Sequence, residues 1–303
     1  MTWQETVSFL AACLPRSVGK QLCALREGSL REIRVRAERK TKLLTAAGER
    51  ECASEPSQQQ VAQMAEALCE HALYARAEEQ RSGYVTLRGG HRMGLCGRVI
   101  AQGQSVRALR DVSSFCVRIA GQWRGAADML LPHLGAERGQ VNSMLIIGLP
   151  GMGKTTMLRD AARHISEAGK RVGVVDERGE LAAMCGGVPQ LDVGPNTDVL
   201  DGCCKEVGLR WMLRAMAPDV LATDELGDAM DAQAVLEAIR GGVSVLATLH
   251  GRGLEAVTGR GALYHLAQSR AIERYAVLDE REVGVVRALY DRELKPIPLG
   301  GDG

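Results

Sequence analysis

The chain is poor in aromatic residues. Phe, Trp and Tyr make up 3% of its 303 residues, too few for the stacking platforms on which single-stranded nucleic acid is bound. It also lacks an excess of either charge. The formal net charge is +1, so no strong field draws it to DNA or to acidic membrane surfaces. No run of about 18 apolar residues occurs that could cross a bilayer as a helix. The opening stretch MTWQETVSFLAACLPRS has only a short apolar patch and no basic start, so it does not read as a signal peptide. The nine cysteines are scattered, with no C-x-x-C and no cysteine–histidine spacing suited to zinc. Cys203 and Cys204 are adjacent, which strains any bridge between them. Reduced thiols in a cytosolic protein are the expectation.

What is present is an ordinary globular composition, 46% hydrophobic and 25% charged, in a chain long enough for two domains. The 35 glycines stand above the usual share of about 7% and suit many tight loops. One stretch organises the rest. The apolar run Met144 to Ile147 stops at Gly148, and Gly148-Leu149-Pro150-Gly151-Met152-Gly153-Lys154-Thr155 follows, the full G-x-x-x-x-G-K-[ST] pattern. Glycines let such a loop aim successive backbone N–H groups at an anion, and the next helix offers its positive end. Met157, Leu158, Ala161, Ile165 and Ala168 keep one face of that helix apolar. Gly148, Pro150, Gly151, Gly153, Lys154, Thr155 and Thr156 are therefore the candidate ATP contacts. Lys154 can reach the β- and γ-phosphates, and Thr155 can take a place on Mg²⁺.

Upstream, residues 1 to about 30 read as helix, Leu30 to Arg36 as a half-exposed strand, and Lys42 to Glu49 as a second strand entering a turn. Glu51 to Gln60 reads as a polar loop and Val61 to Ala75 as a helix. Arg81 to Ile100 reads as a hairpin around Gly89-Gly90-His91-Arg92. It is either solvated, or it lends Arg88, Arg92 or Arg98 to a nucleotide or a neighbouring subunit. His91 reads as a turn or core residue. Val112 to Ile119 reads as a strand, and Gly125 to Leu134 as a short helix broken at Pro132. The polar stretch 137–142 is the expected boundary between an N-terminal α+β domain, 1–138, and a phosphate-loop domain, 139–303. Beyond it strands are expected at Met144–Gly148, Arg171–Asp176, Asp219–Asp224, Gly242–Thr248, Arg274–Leu278 and Val283–Tyr290. Helices fall between the first four, at about 153–168, 206–217 and 231–241. That alternation predicts an α/β fold with a mostly parallel sheet.

Three strand ends carry the chemistry. Asp224 can bind Mg²⁺ through water beside Thr155, and Glu225 can orient and deprotonate the water that attacks the γ-phosphate. Thr248 and His250, at the end of the next strand, can sense the γ-phosphate. Asp176-Glu177-Arg178-Gly179-Glu180 either positions water or forms a salt-bridged loop. An arginine supplied across a subunit boundary is also expected, with Arg88, Arg92, Arg98, Arg178, Arg240 and Arg252 as candidates.

These residues resemble the stage III sporulation protein AA family. The resemblance rests on DERGELAAMCGGVPQLDVGPNTDVLDGC from Asp176 to Cys203, on the phosphate loop, on Asp224-Glu225-Leu226-Gly227 and Thr248-Leu249-His250-Gly251. It also rests on Glu32 to Arg36 and on Gly83 to Leu95. It implies a RecA-like P-loop ATPase similar to the secretion and type IV pilus motors, with a smaller N-terminal domain, working as a homo-oligomer in a hexameric ring. It further implies a seat on the mother-cell cytoplasmic face of a membrane-embedded sporulation channel. By this likeness Lys154 and Thr155 contact phosphate and Mg²⁺, Asp224 is the Mg²⁺ aspartate, Glu225 the catalytic glutamate, and His250 the family's histidine. Gly179 departs from the serine-like residue expected there, and Ala222-Thr223 make the acidic strand less apolar than usual. The alternative is a nucleotide-dependent scaffold with negligible turnover. A nucleic-acid motor is disfavoured by the near-neutral charge and few aromatics.

Overall fold

The computed structural model describes all residues except 74–82, 103–104, 137–138, 260, 262 and 300–303. It divides into two compact units, Met1–Gly121 with Met184–Gln190, and Gln122–Ala183 with Leu191–Gly303.

The first unit is an α+β layer structure. Its six strands, β1 (Leu30–Arg36), β2 (Lys42–Thr45), β3 (Gly48–Glu51), β4 (Tyr84–Thr86), β5 (Arg92–Gln102) and β6 (Ser105–Arg118), form one antiparallel sheet in the order β3-β2-β1-β6-β5-β4. Helices α1 (Trp3–Cys13), α2 (Arg16–Cys23) and α3 (Gln58–Leu68) supply Leu10, Val18, Leu22, Val61 and Leu68 to the core that Ile33, Val35, Leu43, Val85, Met93 and Val117 provide from the sheet.

Several local outcomes differ from the sequence reading. The single helix expected over 1–30 is two, because Leu14 and Pro15 are extended and proline pre-sets a new helical start. The strand expected over 42–49 turns back at Ala46-Ala47, so β2 and β3 pair as a hairpin. The third helix begins within the stretch read as loop. Ser57 and Gln60 form a reciprocal capping box there, with Gln60 N–H on Ser57 Oγ at 3.3 Å and Ser57 N–H on Gln60 Oε1 at 2.8 Å. It ends at Leu68 because Glu70 and His71 take left-handed backbone angles, while positions 74–75 of the expected helix lie outside the described residues. Arg81 and Ser82 of the hairpin lie outside them too. Pro132 sits in the first turn of helix α4 (Leu131–Leu134) and helps to start it rather than break it.

The second unit holds an eight-stranded sheet, β7 (Met144–Gly148), β8 (Val172–Asp176), β9 (Thr197–Asp201), β10 (Val220–Thr223), β11 (Ser244–His250), β12 (Arg274–Leu278), β13 (Val286–Asp291) and β14 (Pro296–Ile297). The order is β14-β13-β12-β7-β11-β10-β8-β9. The run from β12 to β9 is parallel, and β13 and β14 extend one edge antiparallel. Strands of a parallel sheet bury both faces, and the alternation is visible here. Met144, Ile146, Val172, Val174, Val220, Ala222 and Leu246 face one core. Leu145, Ile147, Val175, Leu221, Val245 and Ala247 face the other. Helices α5 (Lys154–Glu167), α6 (Lys205–Ala215) and α7 (Ala229–Arg240) match the expected ones within two residues, and α8 (Glu255–Thr258) and α9 (Tyr264–Gln268) are short additions. The sequence reading missed β9: its burial is only partial and its sequence, TDVLD, carries little strand signal. The fold is the expected α/β P-loop architecture with a mostly parallel sheet.

Between β8 and β9 the chain leaves the second unit for seven residues, Met184–Gln190. Leu191 N–H on Ala182 O at 3.1 Å closes the neck of this excursion, and Cys185 and Val188 exchange backbone hydrogen bonds at its tip. Gln190 Oε1 accepts Gly89 N–H at 2.9 Å.

Candidate active site

β7 is buried along its length and ends at Gly148. The loop to α5 turns through Gly151 at φ +79° and Gly153 at φ +89°, a backbone region that side chains other than glycine's disfavour. Gly153 is also the N-cap of α5, and no side chain caps it. The first amides of the helix are thus directed, with its macrodipole, toward whatever anion the loop encloses. Two neighbours brace the loop. A Cβ on Gly148 would meet Leu278 Cβ at 3.2 Å, and Gly284 N–H, from the turn between β12 and β13, donates to Met152 O at 3.1 Å. Thr155 and Thr156 are the second and third residues of the helix. Lys154 turns back on the loop, where its ammonium donates to Gly148 O at 2.8 Å and Leu149 O at 3.1 Å. Burial pushes its pKa down, opposed by the charges of Glu225 and Glu180.

β10 and β11 carry the expected acidic and polar ends. Asp224 is 2% exposed, and among the described residues neither carboxylate oxygen has a hydrogen-bond partner. Burial pushes its pKa up to about 6; Lys205 opposes this, and Asp176 and Glu180 add to it. A buried carboxylate whose oxygens accept no hydrogen bond suits a cation site, since such lone pairs are costly unless they coordinate. Together with the glycine cradle of the phosphate loop, this fits a Mg²⁺–nucleotide. Thr155 and Asp224 are the residues that would hold the ion, which supplies charge stabilisation to the phosphoryl group when bound.

Glu225 is half-exposed, and its carboxylate accepts from Arg178 at 3.0 Å. Thr248 is fully buried, and its Oγ accepts Glu225 N–H at 2.8 Å. It therefore ties the end of β11 to the segment that carries the glutamate. His250 is exposed at the end of β11, in register with Gly148 of β7. Thr223, which weakened the apolar pattern, is also buried, and its hydroxyl donates to Val175 O at 3.0 Å.

The acidic cluster after β8 resolves into distinct parts. Asp176 is fully buried and accepts the N–H groups of Glu180 at 2.8 Å, Leu181 at 3.1 Å and Ala182 at 2.8 Å. It organises the turn. Gly179, the unexpected glycine, has φ +64° in this turn, which explains its presence better than a lost hydroxyl. Arg159 of α5 fixes the same segment through the carbonyls of Glu180 at 2.7 Å and Leu181 at 2.6 Å. Glu177 pairs with Lys205.

Lys205 is the residue that sequence reasoning missed. Its side chain is 5% exposed, bonded to Glu177 and 3.7 Å from Asp224 Oδ1. Burial lowers its pKa, but Glu177 and Asp224 outweigh this and the net shift is upward. It opens α6, and a cation at a helix N-terminus is disfavoured by the macrodipole. That mismatch was the one available sign that carboxylates hold it.

The other expected arginines are dispersed. Arg88 lies 4.0 Å from Glu70, Arg98 pairs with Asp111 at 3.6 Å, and Arg92 stacks over Tyr84 at 4.7 Å. Arg252 lies 3.4 Å from Glu280, and Arg240 closes α7. His91 is buried, with Nδ1 accepting Ala120 N–H at 3.1 Å, the core role expected of it. Burial pushes its pKa down to about 4.

Comparison with known proteins identifies relatives in sequence and in fold. The family described as "Sporulation stage III, protein AA" matches residues 2–296. Stage III sporulation protein AA of Bacillus subtilis (strain 168) is 39% identical over 94% of this chain and 95% of its own length. Among solved structures, the pilus retraction motor PilT with bound ADP has a similar fold, with a TM-score of 0.60 and 15% identity over 82% of this chain and 74% of that one. The Legionella pneumophila ATPase DotB gives a TM-score of 0.57 and 16% identity over 96% and 81%.

Proposed function

The chain belongs to the sporulation stage III, protein AA family, and from that premise we propose that it is an ATP-hydrolysing oligomeric motor that drives or gates a sporulation channel between mother cell and forespore. The observation that carries this reading is Asp224, a buried carboxylate at the end of β10 whose oxygens accept no hydrogen bond among the described residues. Backbone N–H groups of Gly148, Gly151, Gly153, Thr155 and Thr156, with Lys154, bind the phosphates, and Pro150, which has no N–H to offer, fixes the course of the loop. Lys154 leaves two backbone carbonyls to do so. Thr155 and Asp224 hold Mg²⁺. Glu225 takes a proton from the attacking water, and Thr248 keeps the Glu225 backbone in position while His250 reads the γ-phosphate side of the loop. An arginine from an adjoining subunit of a hexameric ring completes the site. No helix among the described residues is long and apolar enough to cross a membrane, in keeping with a cytoplasmic ring docked on membrane-embedded partners on the mother-cell side.

One observation favours a second reading, a scaffold that binds nucleotide with negligible turnover: Glu225 is engaged by Arg178. ATP turnover per subunit, measured against protein concentration with Lys154→Ala and Glu225→Gln as controls, separates the two. Turnover that rises with concentration and is lost in both variants supports the motor. Tight ATP binding with flat, near-zero turnover, and full sporulation by Glu225→Gln, would establish the scaffold instead.

A further inference from the structure

We propose that Glu177 is a positioning residue that keeps the cation position at Asp224 open by holding Lys205 away from it, an inference that rests on the reading of Asp224 as a Mg²⁺ ligand. Three elements bring these groups together. Glu177 follows β8, Asp224 follows β10, and the two strands are neighbours, with Val175 opposite Thr223. Lys205 opens α6 and reaches between them. A buried ammonium has to be paired, and two carboxylates are available. Asp224 is the more buried, its side chain 2% exposed against 38% for Glu177. Coulombic attraction is stronger where water is excluded, so Asp224 alone would draw the lysine fully onto itself. Instead Lys205 is hydrogen-bonded to Glu177 and stands 3.7 Å from Asp224 Oδ1, outside hydrogen-bond range. Both Asp224 oxygens keep their lone pairs.

Removing the Glu177 charge removes the competitor. Lys205 then needs to move only about 1 Å to reach an ordinary charge-assisted hydrogen-bond distance from Asp224. There its N–H groups would occupy the lone pairs a cation uses, and its charge would repel the cation at close range. The packing of α6 makes the arrangement rigid enough for this small difference to count. A Cβ on Gly208, one turn along, would fall 2.5 Å from Val175 Cγ1, so the helix start lies hard against β8.

The test uses the full chain with a non-hydrolysable ATP analogue and follows Mn²⁺ binding by electron paramagnetic resonance, so no turnover is needed. Glu177→Gln is expected to weaken Mn²⁺ binding by about tenfold or more, the scale of a unit charge moved within a poorly screened site. The double variant Glu177→Gln with Lys205→Met is expected to bind Mn²⁺ as tightly as Lys205→Met alone. Lys205→Met alone is expected to bind at least as tightly as wild type. Unchanged affinity in Glu177→Gln overturns the proposal. So does a loss that the double variant fails to restore, which would make Glu177 a ligand or a purely structural residue, and so does weakened binding in Lys205→Met. Asp224→Asn is the control for the premise. Wild-type Mn²⁺ affinity in that variant would remove the assignment of Asp224 itself, whereas lost affinity there with normal affinity in Glu177→Gln removes only the role of Glu177.

Discussion

Asp224 should make the protein less stable than it needs to be, and the size of the effect follows from its surroundings. Its carboxyl is raised from 3.8 to about 6, first by burial, with Lys205 opposing and Asp176 and Glu180 adding. Across about pH 4 to 6 the unfolded chain has released this proton while the folded chain still holds it. The unfolded state then binds fewer protons, so stability falls as pH rises through that window and is level above it. At about 1.4 kcal/mol per pKa unit, the ionised side chain costs about 3 kcal/mol at pH 8 and about 1 kcal/mol at pH 4.5. A carboxamide in its place cannot ionise. Asp224→Asn, unfolded in urea with EDTA present, should therefore gain about 2–3 kcal/mol at pH 8 and about a third of that at pH 4.5. In thermal melts the gain at pH 8 corresponds to about 4–12 °C for a unit of this size. No gain at pH 8, or the same gain at both pH values, would refute the reasoning. A stabilised variant that has lost Mg²⁺-dependent turnover would identify Asp224 as a group kept for function at the expense of stability.

Asp176→Ala should act in the opposite sense. It strands the buried N–H groups of Leu181 and Ala182 together with that of Glu180, and a loss of about 3–5 kcal/mol is expected in urea denaturation; a loss below about 1 kcal/mol would show that the turn holds without it. Gly208→Ala places a Cβ 2.5 Å from Val175 Cγ1 and 2.9 Å from Cys203 Sγ. Overpacking there should cost about 1–3 kcal/mol in thermal or urea unfolding, and an unchanged midpoint would mean that α6 can ride away from β8.

The parallel sheet was legible because both of its faces are buried. Met144–Gly148 is continuous in apolar residues and stops at a glycine, and Val220-Leu221-Ala222 runs through Thr223 to a carboxylate, Asp224. The phosphate loop and Asp224 were legible for the same reason, as polar punctuation after apolar strands. The polar face of the site was not. Glu177 is joined to Lys205 across 28 residues and Arg178 to Glu225 across 47, and no local pattern announces such pairings. The contact of the Thr248 hydroxyl with the Glu225 N–H was not legible either, since it depends on the stagger of β10 against β11. In the N-terminal region the errors were of extent. Period and propensity marked β1, α3 and the helical stretch that holds α1 and α2, whereas the break between those two was set by Pro15 and the ends of α3 by the Ser57–Gln60 capping box and the left-handed residues Glu70 and His71.

The excursion Met184–Gln190 gives the protein an order of assembly. The first unit comprises Met1–Gly121 and this segment, so on a ribosome its last piece emerges only after β7, α5 and β8 have been made. Gly89 waits about a hundred residues of synthesis for Gln190. A fragment cut at Gly121 is therefore an unfinished unit rather than a free-standing one. A fragment that begins at Gln122 carries seven residues whose partners have been left behind. The two units have separate cores but are not separable by a single cut, and the thread that joins them a second time starts one residue beyond the Asp176-bound turn.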